Sequence, residues 1–124
     1  MILITGGAGF IGANLIRKIN KTGNKDIIIV DNLKKSKKNI NLLKFKDFFD
    51  KNEFYKKICS GKIYSKIKTI IHLGACSDTT ETNWEYLSYN NITYTKKLYK
   101  FSKSLDAKFI YASSALNSLI NPLL

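Results

Sequence analysis

Cysteine is scarce in these 124 residues: Cys59 and Cys76 lie far outside any Cys-x-x-Cys spacing. With His72 as the single histidine, no His/Cys cluster at zinc spacing exists, so a structural zinc site is excluded and two reduced thiols are expected. Long apolar runs are missing too. None approaches the roughly 20 residues needed to cross a bilayer. Met1 to Thr5 is too short for the apolar core of an export signal and leads directly into glycines, which predicts a cytoplasmic protein without a membrane partner. Acidic residues number 9 against 21 basic ones, giving a formal net charge of +12. That excess is nearly all lysine, since Arg17 is the single arginine, and it comes with abundant Asn, Ile and Tyr, as in an AT-rich coding sequence. A nucleic-acid groove would use arginine forks and clustered stacking aromatics, so no nucleic-acid partner is expected.

What is present is a chain with 44% apolar residues and 12% aromatics, enough for one globular domain. Short β-branched runs alternate with longer segments of helical period, which predicts βαβ units and a parallel sheet. Ile2 to Thr5 reads as the first strand. A helix from about Phe10 to Lys21 follows, stopping near Gly23. Ile27 to Asp31 is almost pure Ile/Val, as expected of a strand covered on both faces. A lysine-rich loop leads to a weaker strand placed around Ile40 to Phe45, then a short helix from Lys51 to Cys59 ending at Gly61. Ile67 to Leu73 is the fourth strand. In the long helix after it, Trp84, Leu87, Tyr94, Leu98, Phe101 and Leu105 draw one buried stripe. Lys108 to Ser113 is the fifth strand, and Leu116 to Leu124 has no clear period. The predicted fold is α/β, a Rossmann-like doubly wound parallel sheet of about five strands in the order 3-2-1-4-5. It occupies residues 1–115, with 116–124 as a divergent tail and strand five as an uncovered edge.

The run Thr5-Gly6-Gly7-Ala8-Gly9-Phe10-Ile11-Gly12 sits between the first strand and its helix. A glycine triplet alone is weak evidence, but here an acidic residue, Asp31, ends the next strand about 20 residues on. Gly6 permits a tight turn, Gly9 lets backbone amides approach a pyrophosphate, and Gly12 lets helix and strand pack closely. The helix N-terminus then offers unpaired N–H groups and a partial positive charge to phosphates. A Walker loop is excluded because no Gly-Lys-Ser/Thr follows. Asp31 is placed to accept hydrogen bonds from an adenosine ribose, which favours NAD. Lys34, Lys35, Lys37 and Lys38 would neutralise a 2′-phosphate or simply form a solvated loop; charge pattern alone leaves both readings open.

The spacing Gly6, Gly9, Gly12 resembles the extended short-chain dehydrogenase/reductase family. The segment Ile71-His72-Leu73-Gly74-Ala75-Cys76-Ser77-Asp78-Thr79-Thr80-Glu81 narrows the likeness, for Gly-Ala-Cys-Ser followed by Thr-Thr-Glu resembles the ADP-L-glycero-D-manno-heptose 6-epimerases of that family. The resemblance implies cofactor contacts from Gly6, Gly9, Phe10, Ile11, Gly12, Asp31, Asn32, Lys38 and Lys51, the last allowing for a two-residue deletion. It implies further contacts from Leu73, Gly74, Ala75, Cys76, Ser77 and Asn90, where small residues let a cofactor pass over the backbone. NADP is the implied cofactor, with NAD as the alternative. Ser114, in Tyr111-Ala112-Ser113-Ser114-Ala115, matches the serine that hydrogen-bonds the reacting sugar group, and Ser113 supports it. His72 reads as a structural histidine within its strand, because no acidic partner is visible.

In that family a Tyr-x-x-x-Lys helix downstream of the serine supplies acid/base chemistry, and the cofactor takes and returns a hydride at C6″ of ADP-heptose, a precursor for the lipopolysaccharide inner core. Tyr64/Lys68 and Tyr99/Lys103 have the spacing but precede Ser114, and both are rejected. Ala115-Leu116-Asn117 departs from the Ala-Thr-Tyr-Gly usual in the family. The expectation is therefore an N-terminal fragment without its substrate domain, inactive alone, from a family whose full-length members are homo-oligomers. The alternatives are a non-catalytic dinucleotide-binding remnant and a fragment of another sugar-nucleotide epimerase or dehydratase.

Overall fold

The computed structural model describes residues 1–32, 37–60, 66–74 and 82–112. Its elements run β1 (Ile2–Thr5), α1 (Phe10–Lys21), β2 (Ile27–Asp31), α2 (Lys37–Ile40), β3 (Asp47–Asp50), α3 (Lys51–Cys59), β4 (Thr69–His72), α4 (Trp84–Ser88), a π-helical turn (Tyr89–Thr93), α5 (Tyr94–Ser104) and β5 (Lys108–Tyr111). The five strands form one parallel sheet in the order β3-β2-β1-β4-β5. Thr5 stands beside Val30 on one side and His72 on the other, and Asp31 stands beside Asp50, so these residues share the carboxyl edge of the sheet.

Strand alternation sorts the core into two layers. Leu3, Ile28, Val30 and Ile70 point to the face covered by Phe54 and Ile58 of α3 and by Tyr94, Leu98 and Phe101 of α5. Ile4, Ile27 and Ile29 point to the other face, where Ala13 and Ile16 of α1 cover them together with Leu43. Residues 27–30 are 0–1% exposed, and burying each of these side chains contributes about 1.5–3 kcal/mol. The apolar run in β2 is thus explained by cover on both faces.

Two expectations need correction. The third strand lies at Asp47–Asp50, not around Ile40 to Phe45. The earlier segment folds back on α1 instead: the Asn20 side chain accepts a hydrogen bond from the Lys44 amide at 2.8 Å and donates to the Lys44 carbonyl at 2.8 Å. That satisfies the backbone there without a sheet neighbour, while Ile40, Leu43 and Phe45 pack on the α1 face. Only at the Lys46 amide, which donates to the Ile27 carbonyl, does the chain enter the sheet. Asp-Phe-Phe-Asp then serves as a strand because Phe48 and Phe49 fill opposite layers. Second, Trp84 does not join the buried stripe; it is 69% exposed. The π-helical turn widens the helix between Trp84 and Tyr94 and breaks the period from which its burial was expected. Tyr94, Leu98 and Phe101 do lie buried, with Leu105 packed partly against them.

Candidate functional site

Gly6 opens the turn after β1 with φ +72°, the left-handed region that suits glycine. A Cβ there would sit 2.8 Å from the Gly74 nitrogen and from the Leu73 carbonyl carbon. The turns leaving β1 and β4 therefore touch backbone to backbone. At Gly12 a Cβ would collide with the Gly6 carbonyl oxygen and lie 2.7 Å from the Gly7 Cα, so only glycine lets α1 seat on the turn. Gly9 differs, because the one atom a Cβ would meet within 4 Å is the Gly6 carbonyl oxygen at 3.3 Å. Packing within the chain does not require glycine there. The open space beside it is what a phosphate approaching the backbone would use.

Gly9 is also the N-cap of α1, with no side-chain cap bond, and the first turn of the helix has no acidic residue. The leading N–H groups and the positive end of the helix dipole are left for an external anion. Phe10 and Ile11 are 81% and 69% exposed at this tip. The turn is clamped from both sides through Ala8. Its amide donates to Asp31 Oδ2 at 2.9 Å, and its carbonyl accepts from Asn39 Nδ2 of α2 at 3.0 Å. Asp31 Oδ1 accepts from the Asn32 amide at 2.7 Å. Each carboxylate oxygen has a second lone pair for a further donor.

Thr5, Gly6, Val30, Asp31, Lys51, Gly74 and Tyr94 line a crevice of about 250 Å³ open to solvent at this edge. Asp50 caps α3 by accepting from the Asn52 amide, which turns the chain so that Lys51 enters the crevice. The Tyr94 hydroxyl donates to the Lys51 carbonyl at 3.0 Å, and burial pushes its pKa well above the usual tyrosine value. Tyr94 is thus a hydroxyl donor here and not an acid.

Of the residues singled out from sequence, Gly6, Asp31, Lys51 and Gly74 come together in the crevice, with Gly9, Phe10, Ile11 and Gly12 on the turn and helix tip, and Asn32 and Leu73 adjoining. Lys38 is exposed on α2 outside the crevice lining, and Asn90 lies in the π-helical turn. Ala75, Cys76, Ser77 and Ser114 lie outside the described residues. Tyr99 packs its ring on Phe109 at 5.7 Å and the exposed Lys103 places its Nζ over the Tyr99 ring at 5.7 Å, and neither residue lines the crevice. Sequence reasoning missed Asn39, Tyr94 and Thr95. Asn39 and Thr95 carry no local signal, whereas Tyr94 was read only as a core position. Among the described residues no His/Cys/Asp/Glu group could hold a metal, and no helix is long and apolar enough to cross a membrane.

A parallel sheet of this order, with a glycine turn and uncapped helix tip at its switch point, defines a Rossmann-like domain of the kind that holds dinucleotides. Residues 2–117 match the NAD dependent epimerase/dehydratase family, and the chain belongs to it. Among solved structures it is similar to the ADP-L-glycero-D-manno-heptose-6-epimerase of Helicobacter pylori, with 30% identity and a TM-score of 0.78 over 92% of this chain and 39% of that one. It is also similar to the UDP-glucose 4-epimerase of Thermotoga maritima, crystallised with UDP-glucose, at 29% identity and TM-score 0.71 over 91% of this chain and 37% of the other. The L-threonine dehydrogenase of Clostridium difficile shares 28% identity and a TM-score of 0.66, over 91% and 36% of the two chains. The chain therefore spans well under half the length of each of these proteins.

Proposed function

We propose that this chain is the dinucleotide-binding part of an ADP-glycero-manno-heptose 6-epimerase, holding NADP, with NAD as the weaker ligand. One observation carries the reading. The glycine turn, the uncapped α1 tip, Asp31 and Lys51 converge on one crevice at the carboxyl edge of the sheet. The pyrophosphate would lie at the α1 tip beside Gly9, the adenosine ribose would donate a hydroxyl to Asp31, and Lys51 with Lys38 would neutralise a 2′-phosphate. When bound, the nicotinamide supplies hydride transfer; this chain contributes binding and orientation. The heptose assignment draws on the Gly-Ala-Cys-Ser and Thr-Thr-Glu segments and on the 30% identity with the Helicobacter pylori enzyme. Ser114 would hold the reacting sugar group. The 29% identity with a UDP-glucose 4-epimerase favours a second reading, the same role in a UDP-sugar enzyme.

Alone, the chain binds cofactor without turning over sugar nucleotide, because it offers no Tyr-x-x-x-Lys pair after Ser114. Calorimetric titration with NADP⁺ and NAD⁺, beside an epimerisation assay on ADP-heptose, tests this. Saturable binding with NADP⁺ tighter and no product is expected. An absence of binding by either nucleotide refutes the cofactor assignment, and measurable turnover refutes the inactivity of the chain.

A further inference from the structure

A line of buried side chains runs across the carboxyl edge and is not used by the nucleotide contacts described so far. Thr5 Oγ1, at the end of β1, receives the Gly74 amide at 3.2 Å and is hydrogen-bonded to Nδ1 of His72, at the end of β4. Nε2 of the same ring lies 2.8 Å from Thr95 Oγ1 on α5. One assignment satisfies every group: the Thr5 hydroxyl accepts from the Gly74 N–H and donates to Nδ1, and the Nε2–H donates to Thr95. The imidazole is held between Tyr94, 6.1 Å away at 19°, and Phe109, 6.4 Å away at 29°. His72 is 3% exposed, and burial lowers its pKa to about 4, so the ring is neutral near pH 7 and carries one N–H for this relay.

The relay ends where the two turns meet. Gly6 and Gly74 are in backbone contact, and a Cβ on Gly74 would lie 3.0 Å from the Gly6 nitrogen and 3.1 Å from Thr5 Oγ1. The Thr5 hydroxyl is therefore the side-chain group that fixes where the second turn rests against the first. We propose that His72 is a positioning residue for the nucleotide turn: its Nδ1 side orients Thr5 and so sets the Gly6–Gly74 approach, whereas its Nε2 side only anchors α5. This rests on the reading that the turn holds a dinucleotide.

Two variants separate the two sides of the ring. In His72→Asn the side-chain amide reaches the Nδ1 position and keeps an acceptor for Thr5, while the Thr95 bond is lost. In His72→Gln the amide reaches the Nε2 position and the Thr5 bond is lost. Thr95→Val and Thr5→Val repeat the comparison from the partners' side if either His72 variant fails to fold. The readouts are the amide resonances of Gly6 and Gly74 without nucleotide, the denaturation midpoint, and the Kd for NADP⁺. His72→Asn and Thr95→Val are expected to keep both glycine resonances and a Kd within about threefold of the parent, whereas His72→Gln and Thr5→Val displace the resonances and weaken binding about tenfold. Midpoints should fall in both pairs. Glycine shifts and affinity that follow the loss of midpoint alike in both pairs would overturn the proposal, reducing His72 to a packing group. If the parent binds neither NADP⁺ nor NAD⁺, the dinucleotide reading fails, and the glycine resonances alone still decide the role of His72.

Discussion

Gly9 and Gly12 are both glycines of one motif, yet the structure assigns them opposite reasons for being glycine, and alanine substitution separates these. In Gly12→Ala the new methyl would collide with the Gly6 carbonyl oxygen and crowd the Gly7 Cα at 2.7 Å and the Gly6 carbonyl carbon at 2.9 Å. All three are backbone atoms of a turn already wedged against Gly74, so relief requires moving α1 off the sheet. Overpacking costs typically about 1–3 kcal/mol, and rigid backbone neighbours place this case near about 3. With a urea m-value of about 1.5 kcal/mol/M for a chain of this size, the midpoint should drop by about 2 M. In Gly9→Ala the methyl meets a single atom at 3.3 Å, with φ −75° and ψ 174° in a region alanine adopts freely. The weaker N-cap preference of alanine is offset by the reduced entropy of the unfolded chain, leaving stability within about 0.5 kcal/mol. Nucleotide affinity should nevertheless fall at least about tenfold, because the methyl occupies the phosphate approach. Urea unfolding followed by far-UV circular dichroism suits the purpose better than fluorescence, since Trp84 is exposed. A Gly12→Ala midpoint within about 0.3 M of the parent would refute the packing argument. A Gly9→Ala chain binding nucleotide normally would refute the phosphate argument.

Acid should destabilise the chain through His72. Its folded pKa of about 4 lies below the ordinary histidine value of 6.5, so the unfolded state binds more protons between these values. Stability is full above pH 6.5 and about 3 kcal/mol is lost as pH falls through that window toward 4; His72→Gln should flatten this part of the pH–stability curve in urea titrations. Asp31→Asn should weaken NAD⁺ more than NADP⁺ in calorimetry, because the ribose hydroxyl loses a charged acceptor while the lysines remain. Asn20→Ala should cost about 1–2 kcal/mol and accelerate hydrogen exchange at the Lys44 amide, which donates to the Asn20 side-chain oxygen. Tyr94→Phe should cost about 1 kcal/mol by removing the donor to the Lys51 carbonyl, with unfolding remaining cooperative.

Much of the fold was legible because strong local patterns agreed with tertiary placement. β1, α1, β2 and α3 stand where their Ile/Val runs, helical periods and terminal signals put them. The fourth strand was read too long, since β4 spans Thr69–His72 while apolar Ile67 and Leu73 flank it; β5 begins at Lys108 as expected and runs to Tyr111, with Ser113 outside the described residues. β3 was misplaced because four residues with acids at both ends carry little strand signal, and Ile40 to Phe45 offered a stronger apolar pattern that a side-chain amide diverts from the sheet. The glycine turn could be read because its chemistry is local. The Thr5–His72–Thr95 relay could not, since its members are 67 and 23 residues apart and meet only through strand register and the placement of α5. The bond from Asn39 to Ala8 is likewise a long-range contact that no spacing announces.

The central claim is that backbone amides at the α1 tip grip a diphosphate, and amide-resolved NMR of the chain titrated with NADP⁺ addresses it most directly. The resonances of Gly6 to Gly12, Asn32 and Gly74 should move together with one Kd, while those of Lys18 to Gly23 at the far end of α1 stay fixed. Shifts scattered over exposed lysines, with the glycine-turn amides unmoved, would contradict it.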